Sequence, residues 1–127
     1  MKTLVVRQFV VCDSVDLESI PYFGRPVSVR TRPGEVRPRI DAMVRVAGMT
    51  EPEEFSLCVY FEDLAGQLVL LKQGDVNRIE PPTDGAEREF VVSAGPIKMG
   101  GEGRYLFVLI CGDHMIAERD YVFGFAE

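Results

Sequence analysis

His114, the only histidine of the chain, stands beside Asp113 and three positions after Cys111. A thiol and an imidazole form a nucleophilic pair only when they lie within hydrogen-bond reach and a third group orients the ring. Here they flank a Gly112-Asp113 turn between two apolar runs, where such geometry would be accidental. We interpret His114 as a solvated turn residue and predict no catalytic residue.

The chain offers equally little for metal or cofactor binding. Its three cysteines, Cys12, Cys58 and Cys111, are widely spaced and give none of the close spacings of metal sites. The acidic run at 51–54 lacks the glycine turn and distal glutamate of a calcium loop. The Gly-Gly-Glu-Gly run at 100–103 precedes a strand-like segment, so it lacks the helix amides of a phosphate loop. We predict neither a metal nor a cofactor.

A group of arginines is the strongest chemical pattern. Residues 25–45 contain six arginines and two acids. Arg30 and Arg32 share strand parity, as do Arg37 and Arg39 on the returning segment, so four guanidiniums converge if the two segments pair. Guanidinium forks bind carboxylates or phosphates, which suggests an acidic partner, a phosphorylated ligand or an RNA backbone. The alternative is an edge strand charged to prevent edge-to-edge aggregation.

The charge of the whole chain bears on its partner. The net charge is −6, and residues 46–127 carry fifteen acids against six bases. This excess disfavours nonspecific nucleic-acid binding, which depends on neutralising phosphates. The arginines could instead bind an acidic protein or the acidic loops of a second copy in a homodimer. Nearby aromatic residues would supply the apolar centre of that interface, or else pack in the core. The predicted partner-binding residues are Arg25, Arg30, Arg32, Arg37, Arg39, Tyr22 and Phe23.

Short apolar runs with a period of two residues must position these side chains. Phe55–Glu62 alternates most cleanly, and Arg39–Ala47 follows the same pattern. Tyr105–Cys111 and Met115–Phe125 flank the Gly-Asp turn and predict a β-hairpin, with Tyr105–Cys111 apolar on both faces as in a central strand. No long helical period occurs. The chain is therefore predicted to be all-β.

The remaining segments complete the expected fold. Leu4–Cys12 is predicted to be a first strand, Asp13–Ser19 a short helical turn, and Pro26–Thr31 a second strand. The stretch 73–88 is expected to be irregular because it contains Pro-Pro and Asp-Gly pairs. We predict one domain, residues 1–127, built as an antiparallel two-sheet β-sandwich of the immunoglobulin-like kind with about eight strands. A closed β-barrel is the alternative.

The cysteines and the N-terminus indicate a compartment. An odd number of cysteines, each within an apolar run, is typical of free thiols in a reducing environment. Arg7 and Gln8 interrupt the N-terminal apolar residues, so no signal peptide or membrane span is predicted there. We expect a soluble, cytoplasmic protein.

Four segments of this chain resemble, in their order and turn residues, a family of small uncharacterised bacterial β-sandwich domains. They are the strand ending at Cys12-Asp13, the entry Arg37-Pro38-Arg39-Ile40, the Phe55–Phe61 strand with its Asp63…Gly66 turn, and the closing Gly103-Arg104-Tyr105-Leu106-Phe107. The resemblance lies in strand order and turn chemistry over most of the chain. It implies the fold and a bacterial origin and assigns no site residue.

These observations favour a non-catalytic protein-binding or assembly module that uses the arginines. Two alternatives stay open. The first is a small-ligand carrier or an enzyme with a cavity between the sheets, for which Asp13, Asp41 and Asp120 are the candidate carboxylates. The second is a structural component of a bacterial or phage assembly, built through an exposed edge strand.

Overall fold

The computed structural model describes residues 4–18 and 23–125, with the side chain of Phe23 excepted. This part of the chain is all-β and contains twelve strands and no helix. No helix in these ranges is therefore long and apolar enough to cross a membrane. The strands are β1 (Val5–Asp16), β2 (Phe23–Pro26), β3 (Arg30–Thr31), β4 (Val36–Arg37), β5 (Ile40–Ala47), β6 (Glu53–Glu62), β7 (Leu68–Gln73), β8 (Asn77–Ile79), β9 (Arg88–Ala94), β10 (Ile97–Lys98), β11 (Gly103–Cys111) and β12 (His114–Phe125).

The strands form two large sheets and one small one. One sheet has the order β2-β1-β5-β9, and the other has the order β3-β12-β11-β6-β7 with β8 also paired to β6. The third is the short pair β10-β4. All pairs are antiparallel except β12 with β3. The arrangement is consistent with a β-sandwich.

Alternating side chains from both large sheets form one apolar core. Alternation places Ile40, Ala42, Val44 and Val46 of β5 and Phe55, Leu57, Val59 and Phe61 of β6 inward. All are almost fully buried except Phe61, which is partly buried, because successive side chains of a strand point to opposite faces. β11 lies between β12 and β6, as its apolar composition predicted. The buried residues of β5, β6 and β11 include Ile40, Ala42, Val44, Val46, Phe55, Leu57, Val59, Tyr105, Phe107 and Leu109.

The longer strands confirm the sequence predictions, and the short ones correct them. The predicted count of about eight strands was too low, because strands of two to four residues show too little alternation to be recognised. β8 pairs with β6 inside the stretch expected to be irregular. Pro26–Thr31 is not one strand, because β2 ends at Pro26 and β3 begins at Arg30.

The helical turn predicted at Asp13–Ser19 was also wrong. β1 continues to Asp16, and its last residues pair with β2. Val15 is buried and its N–H donates to the Asp41 carboxylate at 3.0 Å. A buried backbone amide needs a partner, so this long-range bond favours the strand over a local cap. Ser19 lies outside the described residues.

The inward orientation of β6 can be tested with a matched pair of leucines. Leu57→Ala should lower the free energy of unfolding by about 2–5 kcal/mol, because it leaves a cavity in the core. Leu64→Ala should change it by less than about 0.5 kcal/mol, because Leu64 is fully exposed in the β6–β7 turn. Urea denaturation measures both. Equal effects would contradict the assigned orientation.

Candidate functional site

Three long strands, β1, β6 and β12, give the domain two chemically different ends. Their first residues lie around a cleft, whereas Asp13 in the second half of β1 and Phe125 at the end of β12 contact the predicted arginines. At 3.2–3.4 Å per residue, β12 alone extends roughly 36 Å. We call the two regions the cleft end and the arginine end, the latter comprising Arg25, Arg30, Arg32, Arg37, Arg39 and Lys98.

Arg37 holds the arginine end together from inside. Its side chain is only 10% exposed. Its guanidinium donates to Glu35 at 2.7 Å, to Asp13 at 3.2 Å and to the backbone carbonyl of Arg30 at 2.7 Å. It also lies over the ring of Phe123, 5.1 Å from the centroid. Arg37 therefore joins β1, β3, β4 and β12, and its charge is paired with Asp13 and Glu35 within the protein.

Asp41, one of the carboxylates that the sequence singled out, is fully occupied. It is buried, and it accepts hydrogen bonds from the Val15 N–H at 3.0 Å and the Ser93 hydroxyl at 2.6 Å. The Arg39 Nε lies 2.9 Å from the same carboxylate. The Arg39 side chain is 54% exposed, so it pairs with Asp41 of β5 and is still accessible to solvent. Asp41 thus acts as a structural acceptor.

The remaining cations of the arginine end are exposed. Arg30 donates to the Phe125 carbonyl at 3.4 Å. Arg25 pairs in register with Ser14, next to the Asp13 that binds Arg37. Arg32 precedes the Pro33-Gly34 turn. Lys98 pairs in register with Val36. Among the described residues, none of Arg25, Arg30, Arg32 and Lys98 makes an ion pair.

The structure brings the predicted residues to one end, but by a different route from the one expected. The segments containing Arg30 and Arg37 do not pair with each other, because β3 pairs with β12 and β4 with β10. Arg37 and Arg39 do not project together, since Arg37 is buried and Arg39 is exposed. Tyr22 lies outside the described residues, and only the backbone of Phe23 is described. No sequence pattern indicated Lys98, which the pairing of β10 with β4 places here.

The glycine run at 100–103 completes the arginine end as a fixed loop. The Tyr105 hydroxyl donates to the Gly101 carbonyl at 2.6 Å and accepts from the Gly100 N–H at 2.9 Å. Burial raises the pKa of this hydroxyl. The Glu102 carboxylate accepts from the Phe125 N–H at 3.0 Å. A side chain at Gly100 would come within 2.8 Å of the Phe61 ring, so glycine is required for this packing.

The cleft at the other end was not expected from the sequence. It has a volume of about 770 Å³ and contains His114, whose side chain is 84% exposed and lies 3.2 Å from Asp113. The Cys111 thiol lies 3.8 Å from the buried carboxylate of Glu53. Within the described ranges no group of three His, Cys, Asp or Glu side chains could hold a metal ion. The lining residues are Leu4, Pro52, Glu53, Glu54, Arg78, Cys111, Gly112, Asp113, His114 and Ile116.

Comparison with known proteins gives a fold but no family. No family model matches the chain, and no curated protein matches it in sequence. Among solved structures, the alkylpurine DNA glycosylase AlkC of Pseudomonas fluorescens, bound to DNA containing an abasic site analog, has a similar fold with a TM-score of 0.57 at 10% identity. The match covers 94% of this chain and 30% of the glycosylase. The chain therefore spans less than a third of that protein.

This comparison contradicts two predictions made from the sequence. A non-catalytic protein-binding or assembly module was expected, with nucleic acid disfavoured as a partner, but the protein that shares the fold is an enzyme bound to DNA. The low expectation for nucleic acid followed from the net charge of −6, although six arginines are concentrated in residues 25–45. Acids at the cleft end do not neutralise unpaired cations at the arginine end when the separation exceeds the roughly 8 Å screening distance at physiological salt.

Arg37 should matter for stability and Arg32 should not. Arg37→Met should lower the free energy of unfolding by about 3 kcal/mol, because Asp13 and Glu35 lose their shared partner in a partly buried site. Arg32→Met, at an exposed position without an ion pair to described residues, should change it by less than about 0.5 kcal/mol. Urea denaturation at neutral pH compares them. Similar values for the two variants would refute the role of Arg37 in joining the four strands.

Two cysteines should be unreactive while the protein is folded. Burial raises the pKa of the Cys12 and Cys58 thiols above the usual 9.0, and Asp41 raises that of Cys12 further. Their contribution to stability is therefore complete below pH 9.0 and is lost as the pH rises through the raised values. Labelling by a thiol reagent at pH 8, followed by peptide mass spectrometry, should be slow at both positions and fast in denaturant. Rapid labelling of the native protein would contradict this.

Proposed function

We propose that this protein is a nucleic-acid-binding β-domain whose arginine end contacts the phosphate backbone. The observation that carries the proposal is the set of four exposed cations, Arg25, Arg30, Arg32 and Lys98, which make no ion pair with described residues. Phosphate oxygens would supply the acceptors that the protein does not. The DNA bound by the glycosylase of similar fold supports this class of ligand.

The arginine end has the rigidity that such contacts need. Arg37 fixes the backbone of Arg30 by a 2.7 Å hydrogen bond to its carbonyl. The Arg32 and Glu35 backbones close the Pro33-Gly34 turn with a 3.0 Å hydrogen bond. Side chains on a fixed backbone lose less conformational freedom on binding, so more of the electrostatic attraction appears as affinity. Arg37 therefore acts as a positioning residue for the exposed arginines.

We propose binding alone and no glycosylase chemistry, because the matching region is less than a third of that enzyme. We further propose that the sandwich is immunoglobulin-like and that the protein is bacterial and cytoplasmic. Three free cysteines support the reducing compartment.

Charge reversal tests the proposal directly. The double variant Arg32→Glu/Lys98→Glu should lower the affinity for a fluorescein-labelled DNA oligonucleotide by about tenfold or more at low salt, since two phosphate contacts become repulsive. Fluorescence anisotropy measures the affinity. The matched control is Arg7→Glu/Arg78→Glu, which changes net charge equally at exposed arginines that pair with Glu87 and Glu80.

The control should bind within about threefold of the unmodified protein, because its charges lie away from the proposed contact. Equal losses in both double variants would indicate a response to net charge alone and would overturn the assignment of the arginine end. Absence of binding by the unmodified protein at low salt would overturn the proposed function itself. Circular dichroism confirms that each variant is folded.

A further inference from the structure

Phe125 is an exposed aromatic residue among the cations of the arginine end. It lies at the end of β12 and pairs in register with Thr31, which separates Arg30 from Arg32. The residue is 39% exposed. Its carbonyl accepts from the Arg30 guanidinium at 3.4 Å. Phe125 is thus held beside Arg30, which has no ion pair among the described residues.

The ring has a fixed support on one side. Two of its carbons lie 3.9 and 4.0 Å from the position that a Cβ of Gly101 would occupy, so the ring packs along the glycine loop. That loop is held by the two hydrogen bonds of Tyr105, and Glu102 holds the Phe125 N–H. In the described part of the chain, no other aromatic ring packs on Phe125, whereas neighbouring Phe123 contacts two rings.

We propose that the arginine end takes a single-stranded nucleic acid and that Phe125 stacks on one of its unpaired bases. This inference rests on the proposed function, since it names the ligand of the same site. Arg30, whose guanidinium reaches the Phe125 carbonyl, would hold the phosphate next to the stacked base, and Arg32 would hold a further phosphate along the strand. Exposed apolar side chains at Val29 and Val36 extend the surface on which a neighbouring base or sugar lies.

The chemistry of the surface favours a single strand over a duplex. Paired bases in a duplex are stacked on one another and present only their edges in the grooves. A ring on a fixed support would then have no base face to contact, and only the cations would contribute. Unpaired bases expose their faces, and proteins that bind single strands combine a basic surface with aromatic residues for this reason.

The absence of tryptophan from the sequence makes a specific reporter possible. In the variant Phe125→Trp, indole fluorescence comes from position 125 alone. Titration with oligo(dT) should quench this emission, because a base stacks on the indole, while a duplex of mixed sequence should bind with little quenching. Oligo(U) in a parallel titration distinguishes RNA from DNA as the preferred strand.

Affinity measurements with two further variants complete the test. Phe125→Leu should weaken oligo(dT) binding by about fivefold or more and leave duplex binding unchanged, because only the stacked base is lost. Phe125→Tyr should retain the affinity of the unmodified protein. Thermal denaturation shows whether the leucine variant is folded, and the tryptophan titration stands independently if it is not.

The outcomes separate this inference from the proposed function. If charge reversal at Arg32 and Lys98 weakens binding but oligo(dT) neither quenches the indole nor responds to Phe125→Leu, the phosphate contacts stand and base stacking is refuted. Equal quenching by duplex and single strand also refutes the single-strand preference. If no nucleic acid binds the unmodified protein, the proposed function fails together with the inference.

Discussion

The buried guanidinium of Arg37 is the interaction on which the arginine end depends. It binds Asp13 from β1, Glu35 from the preceding turn and the Arg30 carbonyl in β3, and it lies over Phe123 in β12. A guanidinium offers five donors in a plane, so one side chain can satisfy acceptors from several strands at once. Short strands such as β3 and β4 have few ladder hydrogen bonds of their own, and this side chain keeps them in place.

A second constraint is the common direction of the three long strands. β1, β6 and β12 each run from the cleft end, so residues far apart in sequence collect at the same end. Glu53, Asp113 and His114 meet around the cleft, whereas Arg30, Arg37 and Phe125 meet at the other end. The domain is acidic as a whole, yet several exposed cations without an ion pair to described residues lie at the arginine end. Binding properties of such a domain follow from the local arrangement rather than from net charge.

Several parts of the fold were accessible from the sequence because they depend on local patterns. Alternation identified β5, β6 and the β11–β12 hairpin, and it assigned the inward faces of β5 and β6 correctly. It failed for β1 beyond Cys12, because Asp13 and Ser14 are typical of helix caps, whereas the strand is favoured by pairing with β2 and by the bond from Val15 to Asp41. It also failed for β3, β4, β8 and β10, whose partners lie far away in sequence.

The sequence by itself determined that the chain is all-β, because a period of two residues requires extended segments with one buried face. It also located the arginines, since composition is local. Only the tertiary structure decided which of those arginines are available: ion pairs with Asp13, Glu35 and Asp41 occupy Arg37 and Arg39, while Arg30 and Arg32 stay free of such pairs and gain Phe125 as a neighbour. The physical reason is that ion pairs form through space, and strand pairing brings together residues up to about a hundred positions apart, as it does Arg30 and Phe125.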